Sequence, residues 1–526
     1  MSYFNTGFAF FFVPLLAAVY NLIPRKTRPV LLLIFSLGFF FVISKFLIAF
    51  LFLSILSIYF IALKLNALDE KRDAILKTVE KGEKKEIKEK YKKYKRLFVA
   101  LGIAINVSCL IAFKYLNFFG MNIYGLLNVF GADLKFKAFK FAAPIGISFY
   151  TLQALAYILD VYNGRVKADR NILKVALFLS FFPQIMEGPI VRYTDTAQAL
   201  YSGEKIKYRD FCFGYQRVLY GFLKKFIIAD RLNFLVNNVF DNYQSFSGTA
   251  ISVGVIGYTV MLYMEFSGTM DVVIGIGEVF GIRIPENFRQ PFFAKNISEF
   301  WTRWHISLGL WFKDFIFYPV SLSKFGKKIT SSMRKKLGNQ YGPLVGGSIA
   351  LIAVWFLNGL WHGAGYTFLF YGLYQFVMIL SGNLFEPLIK KICAKLHINR
   401  ENIAYRVFQS VKMTLLVFVG ELFFFAKTVP QGFGMLAKIF TSVKFSSAEL
   451  LNLGMDKNDY LIVLIALIFV FAVGLLKEKN VNIREEISKK NIVVRWVIYY
   501  LLILSVVIFG AYGPGYLPVE PIYADF

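Results

Sequence analysis

Apolar runs long enough to cross a bilayer recur along the whole chain, and no other feature limits its fold as strongly. About 20 residues rising 1.5 Å each cover the hydrocarbon core. Such runs fall near 7–23, 29–44, 46–63, 97–118, 141–162, 211–229, 249–282, 343–362, 364–381, 406–426, 459–477 and 493–511. Of the 526 residues 57% are hydrophobic, more apolar surface than a soluble core buries. The expected fold is all-α, a polytopic membrane protein with a single integral-membrane domain over 1–526 and about 11–12 transmembrane helices. Polar breaks in 171–190 and 211–229 suit re-entrant, tilted or interfacial helices.

The net charge of +27 resembles that of a nucleic-acid binder, but the basic residues lie mainly in connections between apolar runs. Positive-inside orientation explains them, and no nucleic-acid partner is expected. The segment 64–96 holds 13 basic and 7 acidic residues and reads as a cytoplasmic helical hairpin near anionic membrane lipids. PRKTR at 24–28 is a second basic connection. Two spans separate these connections, so both face the cytoplasm and the N-terminus is expected outside. The first run lacks a basic leader and a small-residue cleavage site, and reads as a retained span. Cys109, Cys212 and Cys393 are scattered, and the three histidines are far apart, so neither a disulfide framework nor a metal site is expected. The glycines of IGIGEVFGI (274–282) have no preceding strand, which favours close helix packing over nucleotide binding.

The centre of the chain, about 140–385, differs in kind from its plainer ends. It is broken by Gly, Pro, Trp and isolated charges, among them Glu187, Glu265 and Asp271. Such groups are tolerated at membrane depth where protein buries them or a wet cavity is lined by them. Five of the six tryptophans, Trp301, Trp304, Trp311, Trp355 and Trp361, cluster here with His305 and His362. An imidazole in hydrocarbon is costly, so these two histidines and their polar neighbours Arg303, Ser307 and Asn358 form the candidate site. His305 sits in a run that reads as amphipathic helix, with Trp301, Leu308 and Phe312 on one face. Glu265 and Asp271, six apart, do not share a helical face, and each reads as a lining or packing hydrogen-bonder. Asn287 and Arg289, between Pro285 and Pro291, should fix a turn.

FPQIMEGPIVRY, the FSGTMD to PENFRQPF stretch, FWTRWHISLGLWFKDF and NGLWHGAG together resemble the membrane-bound O-acyltransferase family, in its bacterial polysaccharide branch. The likeness runs over about 140–385, and the tail GPGYLPVEPIYADF resembles the alginate O-acetylation proteins. Gln375 stands where many relatives carry a further histidine. The resemblance implies that His362 is the catalytic residue and His305 a second element of the site. Trp304, Ser307, Asn358, Trp361, Glu265 and Arg303 are then expected to bind substrate or line a central funnel or tunnel. It also implies a cytosolic acyl thioester donor (acetyl-CoA or an acyl carrier), no tightly bound cofactor, and a polysaccharide or cell-wall polymer as acceptor. An exported SGNH-hydrolase-like partner completes the transfer in some systems of this kind. The chemistry of the residues agrees, since a histidine ring is suited to take a hydroxyl proton near neutral pH. His305 could hold the thioester or stabilise the oxyanion. Lys313, Lys324, Lys327 and Lys328 are candidates to dock the donor's phosphates. D-alanyl transfer to teichoic acid and a non-enzymatic transporter are the alternatives, the latter disfavoured by the lack of repeated halves.

Overall fold

In a computed structural model, residues 3–5, 7–140, 142–512, 516 and 519 are described. The rest of the tail GPGYLPVEPIYADF lies outside them. The described chain is helical, and its one pairing of extended backbone is an isolated antiparallel bridge between Phe288 and Trp304. Eight helical stretches are long and apolar enough to cross a membrane: Arg28–Thr78, Lys84–Val129, Gly248–Val279, Lys324–His362, Tyr366–Lys395, Ile403–Phe425, Lys457–Glu478 and Ile492–Phe509. The protein is therefore a multi-pass membrane protein. The first stretch is two helices, Arg28–Ser44 and Ile48–Thr78, parted at Lys45 where φ is 48°.

Fewer helices than expected reach spanning length, for a physical reason. Ile147–Tyr162 has only 16 residues, about 24 Å at 1.5 Å each, short of the ~30 Å core. Fourteen of those residues are buried, so protein rather than lipid surrounds the helix and its length need not match the bilayer. The 171–190 stretch, whose polar breaks suited a re-entrant or tilted helix, becomes Ile172–Ser180 followed by irregular chain over 181–191, which is buried throughout. This is non-helical backbone sheltered by protein, as its polar breaks suggested.

The chain forms two compact units. The first comprises residues 1–214 and 273–285. Its Ile147–Tyr162 helix packs against Ile48–Thr78 and Lys84–Leu110. Those two helices continue past the apolar zone as the charged hairpin expected at 64–96, turning at 79–83. Lys95 ties the arms together by donating to Asp69 Oδ2 (2.7 Å) and to the Tyr162 carbonyl (3.0 Å). Arg28 of the PRKTR connection is buried, donating to the carbonyls of Tyr20 and Gly203, so it braces a turn as well as carrying charge. The 274–282 glycines pack as expected, with the Gly275 carbonyl 2.5 Å from where a Cβ on Gly214 would stand.

The second unit comprises 215–272 and 286–525. The 208–222 helix runs into a π-helical stretch, Leu223–Ala229, against which Lys457–Glu478 and Ile492–Phe509 both pack. Lys324–His362 is two helices parted at Gly338, where φ is 75°, and the second of them forms with Tyr366–Lys395 an antiparallel hairpin whose backbones touch. A Cβ on Gly372 would stand 2.3 Å from the Trp355 carbonyl, and one on Gly359 would stand 2.5 Å from that of Phe368.

Candidate active site

Both candidate histidines belong to the second unit. His362 is the last residue of its helix, buried at 5% exposure, and Asn358 lies one turn earlier on the same face. The expectation that His305 lies within a helix is corrected by the structure. It stands at a break between the short helices Ile297–Arg303 and Ile306–Phe312, with φ 48° and ψ 49°. A left-handed non-glycine residue costs roughly 1–2 kcal/mol and persists only where its surroundings fix it.

The turn expected at Asn287 and Arg289 supplies that fixation. Arg289 N donates to the Arg303 carbonyl (2.9 Å), and Ile306 N donates to the Asn287 carbonyl (3.0 Å). The buried Asn287 side chain accepts through Oδ1 from Ser307 N (3.0 Å) and Ser307 Oγ (2.9 Å). These bonds flank His305 on both sides, so Ser307 serves to hold the break. Burial pushes the His305 imidazole down to about 3, which leaves it neutral at physiological pH.

The two imidazoles share one indole. Trp361 meets the His305 ring edge-on at 5.4 Å between centroids and the His362 ring at 5.0 Å. Phe266 also meets the His305 ring edge-on at 4.9 Å, and Phe424 the His362 ring at 5.1 Å. Next to Phe266, Glu265 is fully buried; Oε1 accepts from Thr269 at 3.3 Å, and Oε2 has no partner among the described residues. Asn358 Oδ1 is also without one. Trp304 is buried in an aromatic group with Phe288, Phe300 and Tyr263, behind the histidines rather than between them. Arg303 points elsewhere. Its guanidinium bridges Glu299 (2.8 Å) and Glu478 (2.9 Å) and lines a separate cavity of about 1290 Å³.

Glu421 and Tyr371 escaped the sequence reading. Glu421 is buried in the span at 406–426, which reads as plain and aliphatic, and accepts from Tyr371 Oη at 3.2 Å. Tyr371 in turn meets the His362 ring at 6.2 Å. The site thus reaches beyond 385, and the lone acid in GELFFF was the available signal. Gln375, the departure from the family pattern, accepts from Trp301 Nε1 at 3.1 Å and so braces the tryptophan cluster. Asp271 is an ion-pair residue, bound by Arg217 Nε at 2.9 Å and Lys224 Nζ at 2.6 Å. Glu286 joins this network through Arg217, which holds its carboxyl below the usual range against the opposing effect of burial. Among the described residues no group of His, Cys, Asp and Glu could hold a metal ion.

A buried pair of imidazoles, one of them at a helix end one turn from an amide, is an arrangement with the means to move a proton during group transfer. The family model for the membrane-bound O-acyltransferases matches residues 165–333. The chain is 29% identical over 476 residues to the probable alginate O-acetylase AlgI of Azotobacter vinelandii, covering 90% of this chain and 85% of that one. It is 30% identical over 451 residues to the protein of the same name from Pseudomonas syringae pv. tomato, covering 86% and 77%. The teichoic acid D-alanyltransferase of Bacillus subtilis is 32% identical over 253 residues, covering 47% and 60%. The chain belongs to the membrane-bound O-acyltransferase family, in its polysaccharide O-acetylation branch, and is an acyltransferase rather than a transporter.

Proposed function

We propose that the protein transfers an acetyl group from a cytosolic acyl thioester to a hydroxyl of an extracellular polysaccharide, directly or through an exported relay protein. The observation that carries this reading is the pair of buried imidazoles on Trp361. His362 takes the proton of the acceptor hydroxyl as its oxygen attacks the thioester carbonyl. The terminal carbonyls of its helix favour the positive charge that then develops on the ring. A neutral His305 keeps one N–H, with which it can hydrogen-bond the tetrahedral oxyanion without being protonated. Collapse of that intermediate breaks the C–S bond, and the departing thiolate recovers the proton from His362. Asn358 is placed to orient the acceptor oxygen.

Acetyl is favoured over D-alanyl because the likeness to the alginate O-acetylases extends over 86–90% of the chain, against 47% for the D-alanyltransferase. The charge of 64–96 assigns that hairpin to the cytoplasm and the N-terminus to the exterior. The exposed Lys324, Lys327 and Lys328 then serve as a dock for the donor's phosphates. Purified protein given acetyl-CoA and an oligosaccharide acceptor tests the reading. His362-dependent release of free thiol together with acetylated sugar is the expected result. Thiol release that persists in His362→Ala removes its basis.

A further inference from the structure

The cavity beside Arg303 has about 1290 Å³, above the roughly 300–1,000 Å³ of pockets that hold drug-sized ligands. Three helices wall it, each with a single stripe. The 208–229 segment contributes Gln216, Tyr220, Leu223 and Ile227, spaced four, three and four residues apart. Lys457–Glu478 contributes Ile462, Ala466, Phe469 and Val473, at the same spacings. Ile492–Phe509 adds Ile498, Leu502 and Phe509. From Ile462 to Lys477 this apolar wall is about 22 Å long at 1.5 Å per residue, deeper than one hydrocarbon leaflet of about 15 Å.

The other end of the cavity is charged, and most of its charges cancel. Arg217 is held by Asp271 and Glu286, and Arg303 by Glu299 and Glu478. Arg484 aside, two lining cations, Lys477 and Arg289, form no direct ion pair with a described carboxylate, although Asp271 and Glu286 act on Lys477 at longer range. Lys477 Nζ stands over the Tyr220 ring at 5.2 Å, and Arg289 is fixed only through its backbone. Lys477 lies in the last turn of a spanning helix, followed by the charged connection 479–491, which is the level of lipid headgroups.

The geometry points to a binding site for one anionic glycerophospholipid, its phosphate between Lys477 and Arg289 and its acyl chains along the three apolar stripes. A water-soluble metabolite would leave the apolar walls wet, whereas acyl chains cover them. The negative headgroup balances the two unpaired cations. This site is separate from the histidines, and the inference does not depend on the acyl donor proposed above.

The test uses the full chain, delipidated in detergent and titrated with phosphatidylglycerol, phosphatidylcholine or acetyl-CoA, with bound species read by native mass spectrometry. One phosphatidylglycerol per chain is expected, preferred over phosphatidylcholine by about fivefold for each unpaired cation. Lys477→Gln should shrink that preference about fivefold, and Ala466→Trp, which fills the chamber, should abolish retention of either lipid. Lys477 is exposed and its replacement removes no packed apolar group, so that variant alone decides the matter if Ala466→Trp folds poorly. Failure to retain lipid, a preference unchanged by Lys477→Gln, or displacement of the lipid by acetyl-CoA would each overturn the assignment.

Discussion

Replacing Asn287 with alanine tests whether the left-handed backbone at His305 matters to catalysis. Its Oδ1 accepts two buried hydrogen bonds from Ser307, each contributing about 1 kcal/mol net, so the side chain offsets about 2 kcal/mol of local strain. Without it the His305 break relaxes toward ordinary backbone, and a 2 kcal/mol shift lowers the correctly held population about thirtyfold. The expected outcome for Asn287→Ala is a fall in kcat of roughly ten- to thirtyfold with little change in the donor KM, measured as thiol release from acetyl-CoA in proteoliposomes. Asn287→Asp separates the clamp from general packing. It keeps the acceptor oxygens, and the amide Nδ2 it discards has no partner among the described residues. Most activity should therefore return. If Asn287→Ala turns over within twofold of wild type, the clamp is not part of the catalytic machinery, and the strain at His305 needs another explanation.

His362→Ala should lower turnover by about 10² to 10⁴ while the protein still inserts and unfolds cooperatively; circular dichroism and the thiol assay together check this. Burial keeps the folded-state His305 value near 3 while the unfolded ring titrates near 6.5. The stability this neutral ring contributes is thus complete above pH 6.5 and is lost as pH falls toward 3. By pH 5 the loss reaches about 2 kcal/mol, a fall in apparent Tm that His305→Gln should flatten. In sealed vesicles of known orientation, donor should be consumed only from the face carrying 64–96, and Lys→Gln changes at 324, 327 and 328 should raise its KM with kcat nearly unchanged; consumption from the opposite face alone would reverse the proposed topology. Glu421→Gln keeps an acceptor for Tyr371 Oη and should be well tolerated, whereas Glu421→Leu removes that buried hydrogen bond and should cost about 1–3 kcal/mol of stability in thermal unfolding.

Much of this site can be read in the sequence because membrane burial makes polar residues conspicuous. The two histidines, Asn358, Glu265 and the turn at Asn287 all stand out against apolar surroundings, and the structure sets both histidines against one indole and the Asn287 turn against the His305 break. The break at His305 does not show in the sequence. Trp301, Leu308 and Phe312 keep a helical spacing across it, and the force that interrupts the helix comes from residues 286–289, some twenty positions away. Local periodicity carries no trace of such pairing. Glu421 was hidden by the opposite effect: a single acid among phenylalanines barely changes the hydropathy of its span, and only the packing shows that it faces Tyr371. Apolar length alone does not tell an enclosed helix from a lipid-facing one, since Ile147–Tyr162 is apolar along its length but is surrounded by protein and need not match the bilayer.

The contact of bare backbones at Gly359 and Gly372 also determines which parts of the site can change over evolution. No side chain stands between the two strands of the hairpin there, so no substitution can widen or narrow that seam by degrees. Even alanine forces the helices apart and carries His362 with them. Room beside the imidazoles can instead be made at Phe266 and Phe424, the rings that meet them, where volume can be removed a few atoms at a time. The hairpin serves as a fixed datum, and the rings around it are the adjustable part.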